Sequence, residues 1–161
     1  MLPDFRIALG VKAAGRATRA FPKPRPSNAH ALMGLTYERR VGKELGRYVE
    51  TGFFIGLEHN PWFTFSDTYG TANCSPDYLI HIKGGIIVVE VKLTYVEIAL
   101  AKLDDLYLPV VSAALQTKVF PLVICRNTTA LAPKAALTLS EALKAPAKLL
   151  QWPMTGHILW Q

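Results

Sequence analysis

The feature that most restricts the fold of this chain is a pair of β-prone runs, residues 77–82 and 86–92, that flank adjacent glycines. Glycine accepts the positive φ angles of a two-residue turn, so the pattern predicts a β-hairpin with Gly84-Gly85 as its turn. In that register Glu90 lies opposite Leu79.

The two faces of the hairpin differ in character, because side chains alternate across a strand. One face is apolar or aromatic and suits a core: Tyr78, Ile80, Ile82, Ile87, Val89 and Val91. The other face gathers Asp77, Glu90 and Lys92 at the open end of the hairpin, with the two carboxylates within reach of a shared ion. A one-residue slip in register would destroy this cluster. The cluster is either a functional site or a cross-strand salt bridge between Asp77 and Lys92 with Glu90 exposed.

A third carboxylate comes from a helix predicted over residues 34–49. At 100° per residue, Glu38 falls within the apolar stripe that contains Val41 and Leu45. An acid on a buried stripe needs a partner, and a metal ion or a lysine would serve. The opposite face is basic and would meet solvent or phosphates. That face carries Arg39, Arg40, Lys43 and Arg47.

The remaining pattern predicts an α/β domain over residues 31–161, with a sheet covered by helices. The other expected elements, in chain order, are strands at 52–57 and 62–66, a loop at 67–75, a helix at 96–115, a strand at 120–126, a short helix at 140–150 and a short strand or tail at 156–160. Pro109 is expected to kink or divide its helix.

Residues 1–30 are expected to form a basic arm. The first 47 residues hold ten Lys and Arg against three Asp and Glu, whereas the other 114 hold eight against nine. A helix is expected at 5–20, followed by an extended linker at 21–27, which contains three prolines. The arm suits a polyanion such as nucleic acid, although a solubilising tail or an organellar transit peptide has a similar composition. Its candidate DNA-binding residues are Arg16, Arg19, Lys23 and Arg25.

Cysteine content and hydropathy narrow the cellular setting. Cys74 and Cys125 are too few for a disulfide framework or a cysteine-rich zinc site, so a reducing cytoplasm is expected. No apolar run approaches the roughly 20 residues that cross a bilayer, so membrane insertion is not expected.

Together these residues resemble the PD-(D/E)XK nuclease superfamily. Asp77 stands in a Pro-Asp step, and Glu90-Val-Lys92 follows thirteen positions later on a strand after a glycine turn. The helix at 37–45 is similar to the first core helix of the superfamily, whose glutamate points at the metal site. Residues 34–126 look most like the archaeal and phage Holliday-junction resolvases. Where members often have a glutamine in the next helix, this chain has Lys102 nearby.

The resemblance implies a restriction-endonuclease-like core, in which helices flank a central mixed β-sheet, and a metal-dependent site. Asp77, Glu90 and the Val91 carbonyl would bind Mg²⁺, with Mn²⁺ as a substitute. Glu38 would bind a second ion or orient a metal-bound water. Lys92 would hold or deprotonate the attacking water, or stabilise the phosphate. Further DNA contacts are assigned to Arg39, Arg40, Lys43 and Lys102.

The resulting expectation is a Mg²⁺-dependent DNA endonuclease that prefers branched DNA, in the cytoplasm of a bacterial or phage-infected cell. A twofold junction would require a homodimer. Three alternatives stay open. The first is an exonuclease or nonspecific phage-type DNase of the same fold. The others are a nucleic-acid-binding protein without catalysis, and a structural protein whose acids and lysine only form salt bridges.

Overall fold

The computed structural model describes residues 5–21, 23, 25–94, 96–127, 137–138 and 157–159. Its elements, in chain order, are β1 (Ala13–Arg16), α1 (Ala29–Glu50), β2 (Gly56–His59), β3 (Phe63–Asp67), β4 (Gly70–Cys74), β5 (Tyr78–Ile82), β6 (Gly85–Thr94), α2 (Glu97–Lys102), a π-helical turn (Leu103–Tyr107), α3 (Leu108–Leu115), β7 (Val119–Asn127), β8 (Leu137–Thr138) and β9 (His157–Leu159). The helix predicted at 140–150 lies outside the described residues.

The described elements form an α/β fold with two sheets. The larger sheet has the order β2-β5-β6-β7, and β9 and β8 continue it beyond β7. β2, β5 and β6 are antiparallel neighbours, whereas β7 runs parallel to β6. The helical segment α2–α3 makes the crossover that parallel pairing requires. The smaller sheet, β1-β3-β4, is antiparallel throughout.

The central strand β6 is buried on both faces. The face predicted to be apolar is confirmed as a core face: its side chains pack with Val41 and Leu45 of α1. The opposite face is buried as well, because Phe63 and Phe65 of the smaller sheet and Leu103 of the helical segment cover it. The charged end of the hairpin therefore lies against protein on this second face.

The hairpin turn differs from the prediction. Lys83 and Gly84 form the two-residue turn, with Gly84 at φ 91°, and Ile82 pairs with Gly85. Gly85 begins β6, where a Cβ would lie 2.8 Å from the carbonyl oxygen of Lys118. The first glycine is thus required by the turn and the second by the close approach of the chain before β7.

The register of the hairpin shifts accordingly. The predicted pairing of Leu79 with Glu90 is wrong: Leu79 pairs with Val88. Continuing the same ladder brings Asp77 opposite Glu90. Because partners change by two residues, every side chain keeps its predicted face and the acidic cluster is preserved.

The amino-terminal segment forms a strand, so the helix predicted at 5–20 is wrong. β1 pairs antiparallel with the edge of β3. The apolar residues Ala8, Val11 and Ala14 of this segment recur every three positions, as in a helix. They nevertheless pack against the core that contains Phe63 and Phe65. The region predicted as a loop at 67–75 also contains a strand, β4.

Asp67 anchors the amino-terminal segment to the smaller sheet. Its buried carboxylate accepts the N–H groups of Leu9 at 2.9 Å and Tyr69 at 2.8 Å, and it pairs with Arg6. Burial opposes ionisation, but these donors together hold the pKa of Asp67 below its usual range.

Pro109 divides the long helical segment, as predicted, through a π-helical turn. Proline has no N–H to donate to the carbonyl of Asp105, four residues earlier. That carbonyl accepts the N–H of Ala8 at 2.8 Å instead. The interruption of the helix therefore provides an attachment point for the amino-terminal segment.

Tyr78 sets α1 against the hairpin. The helix begins after Asn28, whose side chain accepts the N–H of Ala31 at 2.8 Å. Tyr78 Oη donates to the carbonyl oxygen of Glu38 at 2.8 Å, and a Cβ at Gly42 would overlap the Tyr78 ring. Gly42 thus allows the close approach that fixes the position of Glu38.

We expect Gly42→Ala to destabilise the protein by about 2–3 kcal/mol, because the added methyl group must displace the helix or the Tyr78 ring. Gly46→Ala is the matched control in the same helix. A Cβ there meets nothing within 4 Å, so alanine should stabilise the helix by up to about 1 kcal/mol. Urea unfolding measures both variants, and a neutral Gly42→Ala would contradict the packing.

Candidate active site

The four residues predicted to be catalytic lie around one cavity. Glu38 is on α1, Asp77 directly precedes β5, and Glu90 and Lys92 are on β6. All four, with Val91, line a cavity of about 580 Å³. The structure therefore brings together acids from a helix and a hairpin with a lysine, and their catalytic roles stay a prediction.

Glu90 is the most deeply buried acid of the site, at 3% exposure. The Nζ atoms of Lys92 and Lys102 lie 3.3 Å and 3.4 Å from its Oε1. Its Oε2 is buried and has no hydrogen-bond partner among the described residues. Burial, and then the charge of Asp77, raise the pKa of Glu90 against the opposing effect of the lysines. The alternative with an exposed Glu90 and an Asp77–Lys92 bridge is therefore wrong.

Asp77 is held between the main chain and a lysine. Its Oδ2 accepts the N–H of Val91 at 2.7 Å, across the hairpin. Its Oδ1 lies 3.8 Å from the Nζ of Lys23, in the proline-rich segment that the sequence assigned to DNA contacts. Burial first, and the neighbouring Glu38 carboxylate next, raise the pKa of Asp77 from 3.8 to about 7. Asp77 therefore gains or loses its proton close to neutral pH.

Glu38 has a histidine neighbour that sequence reasoning missed. The Nε2 of His59 lies 3.4 Å from Glu38 Oε2, and the imidazole stacks on the Tyr78 ring with centroids 4.7 Å apart. Burial, followed by the charge of Lys23, lowers the pKa of His59. No periodic pattern marks His59, since it reaches the site only through the pairing of β2 with β5.

Lys102 lies at the carboxylate site, and its role in binding DNA stays a prediction. It ends α2, and its ammonium group lies 5.2 Å from the centre of the Tyr107 ring as well as beside Glu90. Tyr107 is itself fixed, because its Oη donates to the carbonyl oxygen of Ser75 at 3.1 Å. The crossover segment thus delivers a second ammonium group to the same carboxylate.

The other predicted DNA-binding residues fall into three groups. Lys23 and Arg25 line the cavity with the carboxylates. Four others are exposed and do not line it: Arg19, Arg39, Arg40 and Lys43. Arg16 forms a third group, because it is engaged in an ion pair between the two sheets.

Glu58 of β2 is the partner of Arg16. The Nη1 and Nη2 atoms of Arg16 lie 2.6 Å and 3.0 Å from the two carboxylate oxygens of Glu58, and His81 Nε2 lies 2.6 Å from Oε2. Burial opposes ionisation, but these partners lower the pKa of Glu58. Arg16 therefore ties β1 to β2, and a role in binding DNA stays a prediction.

The chemistry of the donors fits a hard divalent cation. Within the part of the chain that the structure describes, no group of three or more His, Cys, Asp or Glu side chains is already arranged to hold a metal ion. Carboxylate oxygens are nevertheless the ligands that Mg²⁺ prefers. Among the described residues Glu90 Oε2 is buried without a partner, and the half-buried Asp77 lies beside a second carboxylate. A cation would compensate both groups.

Comparisons of the chain with protein-family models, with curated proteins and with solved structures found no match. Among the described helices, none has the length and apolar composition that crossing a membrane requires.

We expect Asp77→Asn to stabilise the metal-free protein at pH 8 by about 1–3 kcal/mol and to have little effect at pH 5. Because folding raises the pKa of Asp77 to about 7, ionising this group weakens folding as the pH rises from about 4 through 7. Asparagine removes that effect and can still accept the Val91 N–H. Urea unfolding in a chelator measures the difference.

The control is Glu50→Gln, which removes a carboxylate at an exposed position at the end of α1. It should leave the difference between pH 5 and pH 8 as in the wild type. An Asp77→Asn variant with the same pH dependence as the wild type would contradict the proximity of the two carboxylates.

Proposed function

We propose that this protein is a metal-dependent deoxyribonuclease with a restriction-endonuclease-like PD-(D/E)XK core. The observation that carries the proposal is the convergence of Glu38, Asp77 and Glu90 with two ammonium groups on one cavity. One oxygen of Glu90 is buried there with no partner in the part of the chain that the structure describes. A buried charged group that lacks partners destabilises a fold, so a purely structural cluster is expected to satisfy its buried charged atoms. The unpaired oxygen thus favours a site that binds something.

Asp77, Glu90 and the Val91 carbonyl are the groups proposed to hold Mg²⁺ or Mn²⁺. When bound, the ion supplies Lewis-acid stabilisation of the phosphate charge and lowers the pKa of a bound water. Asp77 must release its proton to act as a ligand, and because its raised pKa opposes this, metal binding should strengthen as the pH rises through about 7. Glu38, beside Asp77, would be a further ligand or would orient the attacking water through its carboxylate.

The two lysines have complementary roles in this proposal. Both ammonium groups contact the same oxygen of Glu90, at 3.3 Å for Lys92 and 3.4 Å for Lys102. One of them can keep Glu90 ionised while the other turns to a phosphate oxygen of the substrate. Lys92, on the same strand as Glu90, is proposed to hold the attacking water or the phosphate, and Lys102 to preserve the carboxylate charge.

The basic residues around the cavity would guide the DNA backbone. Lys23 and Arg25 stand at the cavity itself. The exposed helix residues Arg39, Arg40 and Lys43 add charge on α1. Such contacts bind phosphates without reading sequence, so affinity should fall steeply with salt.

We expect purified protein to cleave DNA with Mg²⁺ or Mn²⁺ and to be inactive in a chelator. Glu90→Gln and Lys92→Met should each reduce the cleavage rate by roughly 100-fold or more, because the first removes a charged ligand of the metal ion and the second a cation at the attacking water or the phosphate. Gel analysis of a labelled substrate under single-turnover conditions measures the rate. Circular dichroism of each variant verifies that it folds.

Two positions that do not line the cavity provide matched controls. Glu44→Gln removes an acid that pairs with Arg47 on α1, and Lys83→Met removes a lysine in the hairpin turn. Both should cleave like the wild type. Equal cleavage by Glu90→Gln, Lys92→Met and the wild type would refute the site. Salt-sensitive binding without cleavage would instead identify a noncatalytic DNA-binding protein.

The resemblance to resolvases leads us to propose branched DNA as the preferred substrate of a homodimer. We expect a four-way junction to be cut at least about tenfold faster than linear duplex of the same sequence, and light scattering to report two copies. Equal rates on the two substrates would favour a nonspecific endonuclease. Progressive shortening from the ends would favour an exonuclease.

A further inference from the structure

A second cavity adjoins the carboxylate site on the side of the smaller sheet. Its volume is about 430 Å³, and it shares Lys23, Asp77 and Lys102 with the first cavity. The rest of its lining is rich in aromatic side chains, with polar groups beside them. The aromatic members are Phe5, Trp62, Phe65 and Tyr107.

We propose that this second cavity binds one unpaired nucleobase of the DNA strand whose phosphate occupies the carboxylate site. This inference rests on the proposed nuclease function, because it places the base next to the bond that is cleaved. It adds a binding site and a basis for substrate choice that the catalytic residues do not provide.

The composition of the cavity matches a nucleobase better than an apolar ligand. Flat aromatic side chains stack on any of the four bases, since every base has a π-face. The polar residues Asn73 and Ser75 lie in the same lining and could meet the hydrogen-bonding edge of a base. Lys23 and Lys102, at the junction of the two cavities, carry the positive charge that the adjoining phosphate needs.

Trp62 is positioned before any ligand arrives. Its ring packs against Phe21, with centroids 5.1 Å apart at an angle of 59°, and its carbonyl oxygen accepts the N–H of Ala17 at 2.9 Å. The side chain is half-buried at the entry to β3. A stacking platform that is already ordered loses little conformational entropy on binding, which favours affinity.

A base in an intact duplex is paired and stacked, so it cannot enter a cavity without being extruded. The energy required is least where the base is already unpaired, at a single strand, a flap or a branch point. The second cavity would therefore select distorted or branched DNA through one base, with no need to recognise a sequence.

The test compares two labelled single strands of 12 units, oligothymidylate and an abasic strand with the same number of phosphates. Fluorescence anisotropy in a chelator measures binding without cleavage. We expect the wild type to bind oligothymidylate roughly 5- to 100-fold more tightly than the abasic strand. Trp62→Ala should abolish the difference, whereas Trp62→Phe should retain most of it.

The control variant is Phe53→Ala, which removes an aromatic ring that is 48% exposed and does not line the cavity. It should bind both strands like the wild type. The affinities of the wild-type protein for the two strands can be compared without any variant, so the proposal can still be refuted if Trp62→Ala does not fold. Thermal unfolding identifies that case, and Trp62→Phe then reports on the ring.

Equal affinity of the wild type for the two strands would overturn the inference. So would a preference for thymidylate that persists in a folded Trp62→Ala. The cleavage assay separates the two proposals: cleavage with equal binding of both strands would refute the base cavity alone, and base-dependent binding through Trp62 without any cleavage would refute the nuclease alone.

Discussion

A carboxylate buried in the central strand is the constraint on which the arrangement of this molecule depends. Glu90 lies on β6, which has strands on both sides and packed layers on both faces. A buried carboxylate at that depth strongly destabilises the fold unless opposite charges lie beside it. Two lysines do so, one from the same strand and one from the end of α2, and the position of the crossover helix is thereby coupled to the chemistry of the site.

Local patterns in the sequence predicted much of the fold. The alternation of side chains in the hairpin assigned each of them to its correct face although the turn was misplaced by one residue. That misplacement changes each cross-strand partner by two residues, which preserves the alternation. The strands β1 and β4 were missed, since Ala8, Val11 and Ala14 are spaced as in a helix and residues 70–74 are mostly exposed. These two segments became strands by pairing with the two edges of β3, which no local pattern reveals.

The positions of the candidate site residues were likewise predictable only where short-range periodicity determines them. Asp77, Glu90 and Lys92 share one hairpin face, and Glu38 lies on the apolar stripe of a helix, so short-range periodicity sufficed. Residues that approach from distant parts of the chain were assigned elsewhere or overlooked: Lys23, His59 and Lys102. Their placement depends on strand order and on the path of an irregular segment, which are properties of the whole fold.

The hydrogen bond from Ala8 to Asp105 attaches the amino-terminal segment to the helical segment beside the carboxylate site. A helix interrupted at proline has an unused acceptor, and here the chain's own beginning occupies it. The adjacent residues Phe5 and Arg6 form part of the wall that faces Asp77. Removing residues 5–16 would therefore open the cavity wall beside Asp77 and expose the edge of β3 that pairs with β1.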